Sequence, residues 1–315
     1  MLYISCKFNK IYPKSDDIRR KKLPLFDFIL YVVDDLIDAY MGNLGIMNNF
    51  LKSIKSIIVV AAIGVAAFVL AGLILQCVGM GNADTQFLIS YITPMALMLA
   101  AIVLYNRLVI KSNERVMWSV RGLNPTIHIW GLLLLSALAI VLSPLMRLLP
   151  STDGDIPSSL WAVVTLIFVA PVIEELIFRA GIFSIMRGSC RPSLAALVSS
   201  LLFAAMHGEI AVGIEALFAG MIFSYAYILT QSILAPIILH VFNNTIAYVL
   251  IQFEYQEMMI QDYIGALPSF NIIYAISLLI IILGTTHIVL TYRRADRLIA
   301  EGKTLKDMAA KSGDK

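Results

Sequence analysis

The feature that most constrains this chain is a succession of apolar runs. Each is close to the roughly 20 residues a helix needs to cross the hydrocarbon core of a bilayer. Eight follow residue 55, at about 56–79, 87–106, 127–149, 160–186, 192–208, 212–230, 234–253 and 269–291, the fifth being short. Composition agrees: 59% of the 315 residues are hydrophobic, only 14% are charged, and mean hydropathy is +0.84. Soluble domains carry roughly a quarter charged residues, so a soluble globular protein is excluded. The expected architecture is an all-α polytopic bundle of about eight transmembrane helices. Three of the breaks have local causes: Asn82-Ala83-Asp84, Asn124-Pro125 and Arg191-Pro192, the residue before a proline resisting the helical region.

The charges set an orientation. Lysine and arginine concentrate on cytoplasmic loops. With the N-terminus inside, residues 1–55, the loop 107–126, the turn holding Arg187 and Arg191, and the tail from Arg293 contain 22 of the 24 lysines and arginines. The remaining two are Arg147, at an outer end, and Arg179, inside a span. The loops expected outside, 80–86 and 254–268, have none. Both termini are therefore expected in the cytoplasm, and the plasma (inner) membrane is the simplest location. The first fifty residues lack the order of a cleavable signal peptide, because no apolar stretch closely follows Arg19-Arg20-Lys21-Lys22. Leu23–Leu44 is amphipathic, with Phe26, Ile29, Val33 and Leu36 set against Asp34, Asp35 and Asp38. Three aspartates near its centre favour an interfacial helix over a spanning one.

Three domains are thus expected: an N-terminal extension (1–55), a transmembrane domain (56–291) and a basic tail (292–315). The tail reads as a juxtamembrane segment facing anionic lipid, and no nucleic-acid motif accompanies it. Cys6, Cys77 and Cys190 show no paired spacing, so neither a disulfide framework nor a thiolate metal site is expected.

Three polar clusters interrupt the apolar second half: Glu174-Glu175 with Arg179, Phe203 with His207, and His240 with Asn244. Ionisable groups at membrane depth are costly and usually line a cavity, a relay or a reaction site. Helical residues four apart share a face, so Glu175 can pair with Arg179, while Glu174, about 100° round the helix, points elsewhere. A carboxylate left free in a low-dielectric site suits general-base chemistry. Phe203 and His207 share a face in the same way, as do His240 and Asn244. Read separately, each cluster is a structural feature: an intrahelical ion pair, an interfacial histidine, interhelical hydrogen-bonding glue. Read together they describe either a reactive cavity or a structural polar network. Other intramembrane chemistries are absent: there is no His-Glu-x-x-His helix, no Gly-x-Ser-Gly site and no paired in-membrane aspartate.

The order Glu174-Glu175-x-x-x-Arg179, Phe203-x-x-x-His207, His240-x-x-x-Asn244, with Gln231–Pro236 leading into the last, resembles the CAAX-processing and bacteriocin-processing (CPBP, or Abi) intramembrane endopeptidases. The resemblance covers about residues 160–250, which it marks as a catalytic core. It implies a membrane-embedded protease acting on a peptide or lipidated peptide. Glu174 is then the general base, assisted by His207, and His240 and Asn244 polarise the scissile carbonyl. Glu175 and Arg179 orient Glu174, with Phe203 in support. It leaves open a metalloprotease, in which His207, His240 and a glutamate hold a divalent metal such as zinc. A non-catalytic scaffold, an immunity protein or a transporter is the alternative from another functional class. One difficulty is depth: eight plain crossings put Glu174 mid-membrane, His207 near the outer end of its span and His240 nearer the inner end.

Overall fold

The structure, a computed structural model, describes residues 51, 54–76, 83–110, 116, 118–146, 148–149, 159–188, 190–252 and 270–307. The N-terminal extension with its amphipathic segment, the expected outer loop 254–268 and the end of the tail lie outside the described residues. From Lys52 onward the chain forms one compact unit. Among the described residues there is no strand. Among the described residues eight long helices run in order: α1 (Ile54–Gln76), α2 (Ala83–Tyr105), α3 (Pro125–Met146), α4 (Leu160–Arg187), α5 (Pro192–Ala205), α6 (Ile210–Thr230), α7 (Leu234–Gln252) and α8 (Phe270–Ala300).

Their starts follow from local chemistry. Asn124 caps α3, its Oδ1 accepting from the Thr126 and Ile127 amides at 3.0 and 3.4 Å, ahead of Pro125 at a position where no donor is needed. Ser159 caps α4 through the Ala162 amide. Pro192 opens α5, and its cap comes from a distant helix: Asp296 of α8 accepts from the Ser193 amide at 3.0 Å and from its hydroxyl at 2.6 Å. At the end of α6, Gln231 adopts φ 51° and its amide closes onto the Tyr227 carbonyl at 2.8 Å.

Among the described residues six helices are long and apolar enough to cross a membrane, whereas Pro192–Ala205 is a shorter apolar helix. The fifth of the expected eight is therefore shorter than a full crossing, while α7 (Leu234–Gln252) follows the expected seventh, 234–253. The fifth was expected over 192–208 but stops at Ala205, because Met206 and His207 form a turn and Gly208 takes φ +76°, a left-handed conformation that ends the helix without steric cost. The eighth helix departs in the other direction. It runs to Ala300, nine residues beyond the expected end at 291, with Tyr292 and Ala295 buried and the Tyr292 hydroxyl donating to the Met221 carbonyl at 2.9 Å.

Burial is graded from centre to perimeter. The most apolar stretch of α6 is 56% buried and that of α8 only 11%. Outward-facing Ile58, Val65, Ile272 and Ile282 are each more than 60% exposed, an apolar perimeter that only lipid covers well. The chain is a multi-pass membrane protein. At the centre, α4, α5 and α6 meet through small residues. Ala195, Ala196, Ser199 and Ser200 are fully buried, and the Ser199 hydroxyl donates to the Phe178 carbonyl at 2.7 Å. Lipid tails are as apolar as leucine, so helices in a membrane associate by such close packing and by hydrogen bonds between helices. Gly220 belongs to this contact: a Cβ there would lie 3.0 Å from Ser200 and 3.1 Å from Arg179.

Candidate active site

The site begins with irregularities in α4. Pro171 has no amide hydrogen to continue the ladder. Residues Thr165–Val169 just before it wind as a π-turn, with the Ala170 amide reaching back five residues to the Thr165 carbonyl. The Leu166 carbonyl thereby loses both candidate donors, Ala170 to the shifted bond and Pro171 for want of a hydrogen. Asn244 of α7 replaces them, its Nδ2 donating to Leu166 O at 3.0 Å. One amide hydrogen of Asn244 is thus committed to holding α7 against α4. A second π-turn, Leu176–Phe183, follows Glu174-Glu175 and carries Arg179. Single π-turns inside helices are rare and frequent at functional sites.

Glu175 and Arg179 pair along α4 at 2.8 Å, both fully buried. The same carboxylate oxygen, Glu175 Oε1, lies 2.9 Å from His240 Nδ1. Arg179 also donates to the Gly220 carbonyl at 3.0 Å, and its guanidinium lies against the faces of Phe203 and Phe223, at 4.8 and 5.3 Å from the ring centroids. His240 stacks on Phe223 at 4.8 Å and meets the edge of Phe203 at 5.6 Å. One buried ion pair therefore ties α4, α6 and α7 together and fixes the imidazole of His240.

Glu174 faces the other way, as the 100° offset requires. Its Oε2 is 3.6 Å from His240 Nε2, and its side chain is 13% exposed. Its Oε1 accepts a hydrogen bond from the hydroxyl of Tyr91 on α2. Sequence reasoning assigned the orientation of Glu174 to Glu175 and Arg179; in the structure those two groups hold His240, and Tyr91 holds Glu174. Tyr91 had no motif to mark it, being one of 13 tyrosines in the chain.

His207 sits in the turn after α5. Its Nδ1 is 2.9 Å from the Phe203 carbonyl, one helical turn back. Because a carbonyl only accepts, Nδ1 carries the hydrogen and the Nε2 lone pair is left for another partner. By the same logic, donation from His240 Nδ1 to ionised Glu175 leaves Nε2 of His240 turned toward Glu174. The Phe203 ring lies edge-on between the two imidazoles.

Glu174, His207, His240 and Asn244 all line one cavity of about 370 Å³, together with Tyr91, Phe203 and Asn243. The depth difficulty resolves through the shortness of α5. Its end, and the His207 turn that follows, lie beside Glu174 because the chain turns back at Gly208 after 14 helical residues. As for a metal, among the described residues no three histidine, cysteine, aspartate or glutamate side chains converge to hold an ion. No step below passes through a metal.

Comparison with known proteins points the same way. Residues 156–246, a stretch spanning all three motifs, match the family described as "Type II CAAX prenyl endopeptidase Rce1-like". The "Uncharacterized 24.3 kDa protein" of Escherichia coli is 32% identical over 139 residues, 42% of this chain and 63% of that protein. The "Putative membrane peptidase YdiL" of Bacillus subtilis (strain 168) is 30% identical over 82 residues, 26% of this chain and 34% of that protein. The chain spans less than two thirds of the length of either relative. No solved structure matches it. The family match and the motifs it encloses support an intramembrane protease of the CAAX-processing and bacteriocin-processing kind.

Proposed function

We propose that the chain hydrolyses a peptide bond inside the membrane with water activated by Glu174. The observation that carries this reading is the convergence of Glu174, His207, His240 and Asn244 on one cavity from two helices and a turn. Glu174 takes a proton from water held between its carboxylate and the Nε2 lone pair of His207. The resulting hydroxide attacks the scissile carbonyl, and Glu174 then passes the proton to the leaving amine. The second Nδ2 hydrogen of Asn244 faces the developing oxyanion, and His240 Nε2 joins it as a donor when both nitrogens of that ring carry a hydrogen. Such prepositioned donors act most strongly where water is excluded. Glu175 and Arg179 hold His240 in place, and Leu166 does the same for Asn244.

A peptide or lipidated peptide entering from the bilayer is the substrate class. The plasma membrane, with both termini cytoplasmic, is the proposed setting. The test is cleavage of a peptide library by the purified protein in detergent, with and without a strong chelator. Cleavage that survives the chelator is expected; cleavage that chelation abolishes would refute the metal-free mechanism, and a wild-type protein that cuts nothing would refute the protease reading.

Tyr91 gives a milder prediction. Tyr91→Phe keeps the ring and removes the hydroxyl that holds Glu174 Oε1, so the carboxylate loses one of its constraints. A fall of about tenfold in kcat is expected, corresponding to one hydrogen bond to a charged group. KM should change little, since the hydroxyl is turned to Glu174. Steady-state kinetics on any peptide the wild type cleaves checks both terms.

A further inference from the structure

We propose that Glu215 forms a subsite for a cationic side chain of the substrate, a lysine or arginine close to the scissile bond; this rests on the protease reading above. Glu215 lies in the second turn of α6, a helix long and apolar enough to cross a membrane. It is the one acidic or basic residue in that helix. An ionisable group placed in such a segment is costly, and when retained it usually serves a substrate or ion. Glu215 lines the same cavity as Glu174 and His207, and it is exposed there. Among the described residues no hydrogen bond or ion pair engages it, in contrast to Glu174 and Glu175.

The electrostatics of the cavity select the sign of the ligand. Its lining holds two carboxylates, two imidazoles and, among the described residues, no lysine or arginine. The Arg179 guanidinium, set against Phe203 and Phe223 of the lining, is fully buried and bonded to Glu175. A cation entering the cavity beside Glu215 therefore meets an acceptor with no competing partner, while an anion there meets a carboxylate and no lysine or arginine. The shape suits a long side chain. Val212, Ala216 and Ala219 flank Glu215 on the cavity wall and Met206 lies on the same wall, apolar surface along which the methylene stem of a lysine or arginine can lie with its charged head at the carboxylate.

The experiment is a substitution scan of a cleaved peptide with the purified full-length protein in lipid nanodiscs. Each position from four residues before to four after the scissile bond carries, in turn, lysine, methionine or glutamate. The readout is the ratio of kcat/KM for lysine to that for methionine, taken within each protein variant so that partial loss of folded protein cancels. Wild type should prefer lysine about tenfold at one position, the range of a charge-assisted hydrogen bond. Glu215→Gln should bring the ratio at that position close to one. Glu215→Lys should turn the preference toward glutamate there. Cleavage without any preference for lysine at any position, or a preference that survives both substitutions, would overturn the subsite while leaving the protease reading intact. Absence of cleavage of every peptide by the wild type would overturn both.

Discussion

Glu174→Gln should lower the rate of peptide cleavage by about 10³ or more while the bundle remains folded. The substitution is nearly isosteric. A glutamine Oε1 still accepts from the Tyr91 hydroxyl, so the contact between α4 and α2 survives. What disappears is basicity: a carboxamide cannot take a proton from water or return it to the leaving amine. The side chain is 13% exposed toward the cavity and outside the Glu175–Arg179 pair, so its loss leaves no buried charge without a partner. His207→Ala should cost roughly 10²–10³, since the lone pair that orients the same water is removed. The double variant should be little worse than Glu174→Gln alone, because groups that act on one water are not additive. Single-turnover cleavage assays, paired with size-exclusion profiles of each purified variant, would check this. A Glu174→Gln protein that cuts at the wild-type rate would remove Glu174 from the mechanism.

The three motifs were legible because helix geometry makes residues four apart neighbours, and that rule needs no tertiary knowledge. Glu175 with Arg179 obeys it directly. The meeting of the motifs was less legible, since it depends on where α5 stops. Hydropathy continues through Met206, and only the conformation of Gly208 ends the helix three residues earlier than an apolar count suggests. Asn244 illustrates a different limit. Pro171 is visible in the sequence, but the π-turn it accompanies shifts the hydrogen-bond register, and the Leu166 carbonyl it leaves open is 78 residues from the side chain that satisfies it. Tyr91 and Glu215 were invisible for the plainest reason. Each is a single residue on an apolar helix with no spacing relation to the motifs, and only the packing of α2 and α6 brings them to the cavity.

Arg179→Met should destabilise the protein by about 3–5 kcal/mol, the range seen when one partner of a buried ion pair is removed. Glu175 is fully buried, and its Oε2 has no hydrogen-bond partner even with Arg179 present. Without the guanidinium, its charge would rest on the single contact with His240. The Gly220 carbonyl would lose its side-chain donor at the same time, and Phe203 and Phe223 would lose the cation between them. The double variant Glu175→Gln/Arg179→Met should recover a large part of the loss, because a neutral amide replaces the stranded carboxylate and still accepts from His240. Thermal unfolding in one detergent, read as a double-mutant cycle, separates the pair from its surroundings. Activity should not recover in step with stability. His240 is held by an ionised acceptor in the wild type, and a neutral amide binds the imidazole more weakly, so the double variant should be folded yet still slow. If stability and cleavage return together, the ion pair serves only to hold the helices, and the placement of His240 must come from Phe203 and Phe223 alone.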